Sequence, residues 1–200
     1  MHPNRHPNRR DFQLGLGAAL LAHAWPAAHA QTPRPAACPP LLAHRFPRLQ
    51  DEAPQDLCQY AGQVLLVVNT ASYCGFTPQY KSLEALYDRL RPRGLVMLGF
   101  PSNDFGSQEP GDVAQIAEFC ENTFGVRFPM FAKSRVAAAA GTAQNPLFGE
   151  LARRTGQAPR WNFHKYLIAR DGLAVTSFAS DVDPADPAFA RSVEKLLDAK

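Results

Sequence analysis

A continuous apolar run from Val64 to Ala71 is the feature that most constrains the fold of this chain. Strands that are buried on both faces, as in parallel sheets, show such unbroken apolar runs instead of alternation. A helical pattern follows and ends before Gly94, with apolar residues at the spacing of one helix face: Tyr80, Leu83, Leu86, Tyr87 and Leu90. A second apolar run covers Leu95 to Pro101. The pattern predicts a strand–helix–strand unit with parallel strands, because right-handed crossovers require it.

The remaining elements also follow from the pattern. They are a loop from Ser102 to Gly111, a helix from Asp112 to Phe124 that starts with a capping box to Gln115, a helix from Pro146 to Thr155, a hairpin of Trp161–Arg170 and Leu173–Ala179, and a last helix from about Pro187 to Asp198. This order predicts an α/β domain with a thioredoxin-like fold, in which helices flank a central mixed sheet. We assign 61–200 to this domain and 31–60 to an N-terminal extension of the mature chain.

Residues 1–30 have the pattern of an export signal. Arg9-Arg10-Asp11-Phe12-Gln13-Leu14 resembles a twin-arginine motif, and a short apolar segment leads to the small residues Ala28-His29-Ala30. A membrane anchor is the alternative, but it would need about 20 apolar residues. We expect cleavage near Ala30 and a periplasmic or secreted protein without stable membrane association.

Charge argues against a nucleic-acid partner. The formal net charge is +3, and +2 of it lies in the first 30 residues. The rest of the chain is nearly neutral and has no cluster of Lys or Arg, whereas nucleic-acid binding needs a basic patch.

Four cysteines are present, and none forms a C-x-x-C pair: Cys38, Cys58, Cys74 and Cys120. After residue 30 the only histidines are His44 and His164, so the sequence predicts no metal site. An oxidising compartment permits disulfides, and we expect Cys38 and Cys58 to bridge the two ends of the extension. Two free thiols are the alternative.

Cys74 lies where a reactive cysteine would be expected. It falls between the first strand and the first helix, with Thr77 as predicted N-cap and Pro78 at the first helical position. A helix N-terminus favours a thiolate over a thiol. The alternative is a small apolar side chain that fills a turn. Because reactive groups gather beyond the carboxyl ends of parallel strands, we expect Cys74, the 102–111 loop and Trp161-Asn162 to converge.

Four motifs resemble signatures of the glutathione peroxidase family. They are Asn-Thr-Ala-Ser-Tyr-Cys-Gly-Phe-Thr (69–77), Gly-Phe-Pro-Ser-Asn-Asp-Phe-Gly-Ser-Gln-Glu-Pro-Gly (99–111), Phe-Pro-Met-Phe (128–131) and Trp-Asn-Phe-His-Lys-Tyr-Leu (161–167). The likeness covers roughly residues 41–198. It implies a peroxidatic Cys74 surrounded by Gln108, Trp161 and Asn162. These neutral N–H donors suit a site that must stabilise negative charge on sulfur and then on a leaving oxygen.

The resemblance also implies that Cys120 is a resolving cysteine, which condenses with the sulfenic acid of Cys74 to a disulfide. A buried structural cysteine is the alternative, since Cys120 lies on the apolar face of its helix. A cysteine on a packed face cannot reach Cys74 without local unwinding, so the helix from Asp112 to Phe124 is predicted to open during turnover.

The chain departs from the family pattern at several places. Ser102 stands where other members often have cysteine, and Asp104 replaces a more usual glutamine. Only 12 residues separate Phe148 from Trp161, so the insertion that supports tetramers in some animal members is absent, which predicts a monomer. Its absence also makes glutathione doubtful as the reductant. Asn103 and Lys165 are further candidates for support of the site.

The sequence thus predicts a non-selenium thiol peroxidase that reduces hydrogen peroxide or organic hydroperoxides, without a cofactor, and is regenerated by a thioredoxin-like or low-molecular-weight thiol. A periplasmic thiol–disulfide oxidoreductase or a redox sensor on the same fold is the alternative reading.

Overall fold

The computed structural model describes residues 37–138 and 143–199. The export signal predicted for residues 1–30, and the first residues of the mature chain, lie outside this part. Six strands and four helices are described. Their bounds are Arg45–Pro47 (β1), Pro54–Asp56 (β2), Val64–Thr70 (β3), Gln79–Leu90 (α1), Leu95–Pro101 (β4), Val113–Phe124 (α2), Pro146–Thr155 (α3), Lys165–Ile168 (β5), Val175–Phe178 (β6) and Pro187–Asp198 (α4).

The central sheet has the order β4-β3-β5-β6. β3 and β4 are parallel, β5 runs antiparallel to β3, and β6 runs antiparallel to β5. Every residue of β3 and of β4 is buried, which explains their unbroken apolar sequences. One core cluster joins residues of α1, α2 and α4 to one side of the sheet, and a second joins α3 to the other side. The predicted thioredoxin-like α/β fold is therefore confirmed.

The segment before β3 packs against the sheet. Leu41, Leu42 and Leu57 are buried in the same cluster as α3, and β1 pairs with β2 in a small hairpin. A disulfide joins Cys38 to Cys58, the pairing that the sequence predicts. Cys38 lies two residues before the 3₁₀ turn Pro40–Leu42, and Cys58 lies within the 3₁₀ turn Leu57–Tyr60.

Two local predictions are wrong, and both concern the site. α1 begins at Gln79, and Thr77 does not cap it; the Thr77 hydroxyl instead bonds to the backbone of the preceding turn. The strand predicted from Trp161 begins only at Lys165, because Phe163 has a φ of 64° that interrupts an extended backbone. Trp161 to His164 therefore form a turn at the entrance of β5.

Candidate active site

Cys74 lies in the turn between β3 and α1, and its side chain is buried, with 7% exposure. The Cys74 N–H donates to Thr77 Oγ1 at 2.9 Å, and the Thr77 hydroxyl donates to the Ala71 carbonyl, also at 2.9 Å. The Phe76 N–H donates to Cys74 Sγ at 3.4 Å. One hydroxyl thus fixes the turn, and a backbone N–H close to the start of α1 points at the sulfur, where it stabilises negative charge.

The loop from Ser102 to Gly111 brings Gln108 to this turn. The Tyr73 N–H donates to the Gln108 carbonyl at 3.0 Å, so the residue next to Cys74 is tied directly to Gln108. Gly106 has a φ of 64°, and a Cβ placed on it would lie 3.2 Å from Cη2 of Trp161. A glycine is needed here both for the backbone conformation and for the close approach of the indole.

Asn162 connects the loop to the turn before β5. Its side chain is fully buried, and Nδ2 donates to Gln108 Oε1 at 3.0 Å and to the Phe105 carbonyl at 3.4 Å. Because Gln108 Oε1 accepts this bond, the NH₂ group of Gln108 is oriented away from Asn162 and is available as a donor.

The Trp161-Asn162 turn is fixed to the end of β3. Asn69 Nδ2 donates to the Trp161 carbonyl at 3.1 Å, and the Phe163 N–H donates to the Asn69 carbonyl at 2.6 Å. The indole of Trp161 is 39% exposed, and its ring centroid lies 6.1 Å from that of Phe105. Gln108, Trp161 and Asn162 therefore form one hydrogen-bonded and packed group, and Tyr73 joins the Cys74 turn to it.

Cys120 lies on the buried face of α2 and is 3% exposed. Its thiol donates to Tyr80 Oη at 3.5 Å. Burial raises the pKa of Cys120 to about 11, the hydrogen bond with Tyr80 opposes this shift, and the charge of Glu109 adds to it. Cys74 and Cys120 are both free thiols in this conformation, and Cys120 is protonated at neutral pH.

The supporting residues named from the sequence have definite contacts. Asn103 Oδ1 accepts the Glu109 N–H at 2.8 Å and closes the loop. Lys165 is fully buried, and its ammonium donates to the carbonyls of Ser180 and Val182 at 3.3 and 2.6 Å. Burial lowers the pKa of Lys165 to about 8. Both residues hold backbone near the site.

Asp104, one of the departures from the family pattern, also holds backbone. Its Oδ2 accepts the N–H groups of Val136 and Ala137 at 2.6 and 2.9 Å. It thereby ties the start of the 102–111 loop to the segment that precedes α3.

The roles of two residues at the site were not predicted from the sequence. Thr77 was predicted to cap α1 but instead stabilises the Cys74 turn, and Glu109 was not among the predicted site residues. Glu109 is fully buried next to Gln108, and burial raises the pKa of its carboxyl to about 7. An acidic residue between Gln108 and Pro110 was the available signal, but its burial depends on tertiary packing, which a local pattern does not show.

Residues 37–138 and 143–199 contain neither a cluster suited to a metal ion nor a helix suited to a membrane. No group of three or more His, Cys, Asp or Glu side chains there could hold a metal ion. Within the same ranges, no helix is long and apolar enough to cross a membrane.

A cysteine in the turn after a buried strand, close to a helix N-terminus and linked to neutral donors, defines a thiol-dependent oxidoreductase on a thioredoxin-like fold. The family model described as glutathione peroxidase matches residues 45–152. The chain belongs to the glutathione peroxidase family, and it is a thiol peroxidase.

Individual relatives agree with this assignment. A glutathione peroxidase-like peroxiredoxin of Chlamydomonas reinhardtii is 48% identical over 142 residues, which are 69% of this chain and 85% of the relative. The crystal structure of Trgpx in its apo form has a TM-score of 0.63 and 34% identity, over 80% of this chain and 95% of that one. A thiol:disulfide interchange protein of Chlorobium tepidum has a TM-score of 0.60 but only 15% identity, over 82% and 97% of the two chains, and shows the shared fold alone.

Proposed function

We propose that Cys74 is the nucleophile and that hydrogen peroxide or an organic hydroperoxide is the substrate. The thiolate attacks one peroxide oxygen, an S–O bond forms, and the O–O bond breaks. The remaining oxygen leaves as hydroxide or alkoxide and takes up a proton, which gives water or an alcohol and leaves a sulfenic acid on Cys74. The hydrogen bond between Asn162 and Gln108, tied to the Cys74 turn through Tyr73, carries this proposal.

Gln108 and Trp161 stabilise charge as it moves from sulfur to the leaving oxygen, and Asn162 acts through Gln108. The NH₂ of Gln108 is free of Asn162, the indole of Trp161 is partly open to solvent, and Asn162 holds Gln108 in one orientation. None of these groups titrates at ordinary pH, so their hydrogen-bonding role does not change with protonation. Donors that are fixed before the reaction lower the barrier without reorganisation.

Cys120 resolves the sulfenic acid in this proposal. Its thiol displaces water from Cys74, and the resulting disulfide is reduced by a thioredoxin-like dithiol protein or a small thiol. The buried position of Cys120 and its bond to Tyr80 support the prediction that α2 opens first, since the thiol must leave this packing to react.

We also propose that the enzyme is an exported monomer without nucleic-acid or membrane partners. The signal pattern in residues 1–30 and the Cys38–Cys58 disulfide both support export to an oxidising compartment. The short connection between Phe148 and Trp161 supports a monomer. The nearly neutral charge beyond residue 30 supports a protein without nucleic-acid or membrane partners.

Stopped-flow fluorescence tests the central proposal. Trp161 is the only tryptophan after residue 30, and the loop that joins it to Cys74 should change when the sulfur is oxidised. We expect a rapid change of fluorescence with peroxide in the parent protein, cleaved after its signal, and none in Cys74→Ser. Cys120→Ser is the matched control, which should keep the rapid phase. A signal that survives Cys74→Ser would exclude Cys74 as the reacting thiol.

A further inference from the structure

Glu109 has a buried carboxyl that the peroxidase scheme leaves unused. Among the residues that the structure describes, no group makes a hydrogen bond of good geometry to either of its oxygens, although the hydroxyl and the N–H of Ser72 lie close enough to lower its pKa. Burial raises the pKa of Glu109, and the nearby Ser72 and Lys133 reverse this only in part, so that the pKa is about 7. A buried carboxyl without well-formed hydrogen bonds is costly, and such groups concentrate at functional sites.

Glu109 lines a cavity of about 280 Å³ between the two cysteine-bearing segments. Its lining includes Ser72 and Tyr73, which directly precede Cys74 in the chain, and Gln115, Ile116 and Phe119 of α2, the helix that carries Cys120. The charge of Glu109 contributes to the raised pKa of Cys120, so the two groups interact in the closed conformation.

Glu109 is held in place independently of α2. Its N–H donates to Asn103 Oδ1 at 2.8 Å, and its carbonyl accepts from the ammonium of Lys133 at 3.2 Å. In α2, by contrast, only Ile116 and Cys120 are buried. If α2 loosens, Cys120 moves while Glu109 keeps its position beside the Cys74 turn.

We propose that Glu109 is the proton acceptor for Cys120 when the Cys74–Cys120 disulfide forms. This inference rests on the proposed resolving function of Cys120. The Glu109 carboxylate takes the proton from Cys120, and the sulfur attacks the sulfur of the Cys74 sulfenic acid. The S–S bond forms as the S–O bond breaks, and the leaving hydroxide takes the proton from Glu109 as water. One thiol and one sulfenic acid give one disulfide and one water, and Glu109 returns to its carboxylate form.

The groups near Glu109 determine how the rate of disulfide formation should depend on pH. Ser72 does not ionise, the charge of Lys133 lowers the pKa of Glu109, and burial raises the pKa of Tyr80 well above its usual value. The pKa of Cys120 is about 11. Of Tyr80, Cys120 and Glu109, only Glu109 therefore has a pKa near neutrality. Because the carboxylate is the active form, the rate of disulfide formation should rise with pH, with an inflection near pH 7.

A single-turnover experiment tests the proposal. One equivalent of peroxide is added without reductant, Trp161 fluorescence reports Cys74 oxidation, and alkylation of quenched samples followed by mass spectrometry reports the disulfide. In Glu109→Gln we expect Cys74 oxidation at the parent rate, disulfide formation slower by about 100-fold, and no inflection near neutral pH. Glu118→Gln, an exposed change of the same type on α2, is the matched control and should behave like the parent.

Other results of this experiment would exclude the proposed role of Glu109. A parent-like rate and inflection in Glu109→Gln would exclude the proposed role, and so would equal slowing of both steps, which would indicate a structural effect. If Glu109→Gln does not fold, the pH dependence of disulfide formation in the parent protein tests the proposal. A rate without an inflection near pH 7 would contradict it. Normal cycling of Cys120→Ser with a dithiol would instead refute the resolving function itself, whatever Glu109→Gln does.

Discussion

At the scale of single residues, the site depends on amides and a hydroxyl that hold one another in fixed orientations. Asn162 orients Gln108, Asn69 holds the Trp161 backbone, and Thr77 closes the Cys74 turn. The residue types at 74, 108, 161 and 162 were recognisable from motifs. Their contacts were not, because hydrogen bonds between residues 54 to 92 positions apart depend on the folded sheet.

Removal of the Gln108 side chain should slow the first chemical step. Gln108→Ala removes a preoriented donor and also leaves Asn162 Nδ2 without its best acceptor. We expect the second-order rate constant for Cys74 oxidation to fall by about 100-fold, as for the loss of one oxyanion-hole donor. Rapid mixing with peroxide measures it. Asn122→Ala, an exposed amide deletion on α2, is the control, and equal rates in parent and Gln108→Ala would remove Gln108 from the mechanism.

At the scale of elements, periodicity predicted most of the structure because helices and strands here follow their apolar patterns closely. β4 and α3 have the predicted bounds, and Asp112 forms the predicted capping box with Gln115. The predictions are wrong at two kinds of position. At Thr77 the side chain has more than one possible hydrogen-bond partner, and at Phe163 a single backbone angle departs from the extended conformation. Sequence periodicity carries no information on such choices.

Weakening the start of α2 should speed the resolving step. Asp112→Ala removes the carboxylate that accepts the Gln115 N–H at 2.9 Å, and this loss of the N-cap should cost about 1 kcal/mol of helix stability. Amides of α2 should then exchange faster with deuterium, and the Cys74–Cys120 disulfide should form faster, because the open state is more populated.

The matched control is Asp186→Ala, which removes a similar cap from α4, a helix without cysteine. It should leave the rate of disulfide formation unchanged. If Asp112→Ala raised the exchange of α2 amides but not the rate of disulfide formation, opening of α2 would not limit this step.

At the scale of the whole molecule, the N-terminal segment is bound to the domain by both packing and a covalent link. Leu41 and Leu57 enter the core, and Pro39 lies against Gly172 in the β5–β6 turn, where an added Cβ would be 2.7 Å away. The disulfide was predictable because the extension carries a cysteine at each end. The burial of Leu41 and Leu57 was not, because this stretch has no clear period.

Loss of this disulfide should lower the stability of the whole chain. Its cysteines are separated by 20 residues, and closing a loop of that size contributes about 3 kcal/mol through the unfolded state. We expect the double change Cys38→Ser and Cys58→Ser to lower the free energy of unfolding by about that amount in urea titration. The rate of Cys74 oxidation should be retained, and an unchanged urea midpoint would contradict the prediction.

The ammonium of Lys133 reaches two carbonyls of one short stretch, those of Glu109 and Gly111, at 3.2 and 2.6 Å. It anchors the chain immediately before α2. If α2 opens as proposed, its movement should end there and not reach Gln108. The two steps of the proposed cycle would then make opposite demands on neighbouring parts of the molecule: a rigid frame for the reaction with peroxide, and a hinge beside it for the movement of Cys120.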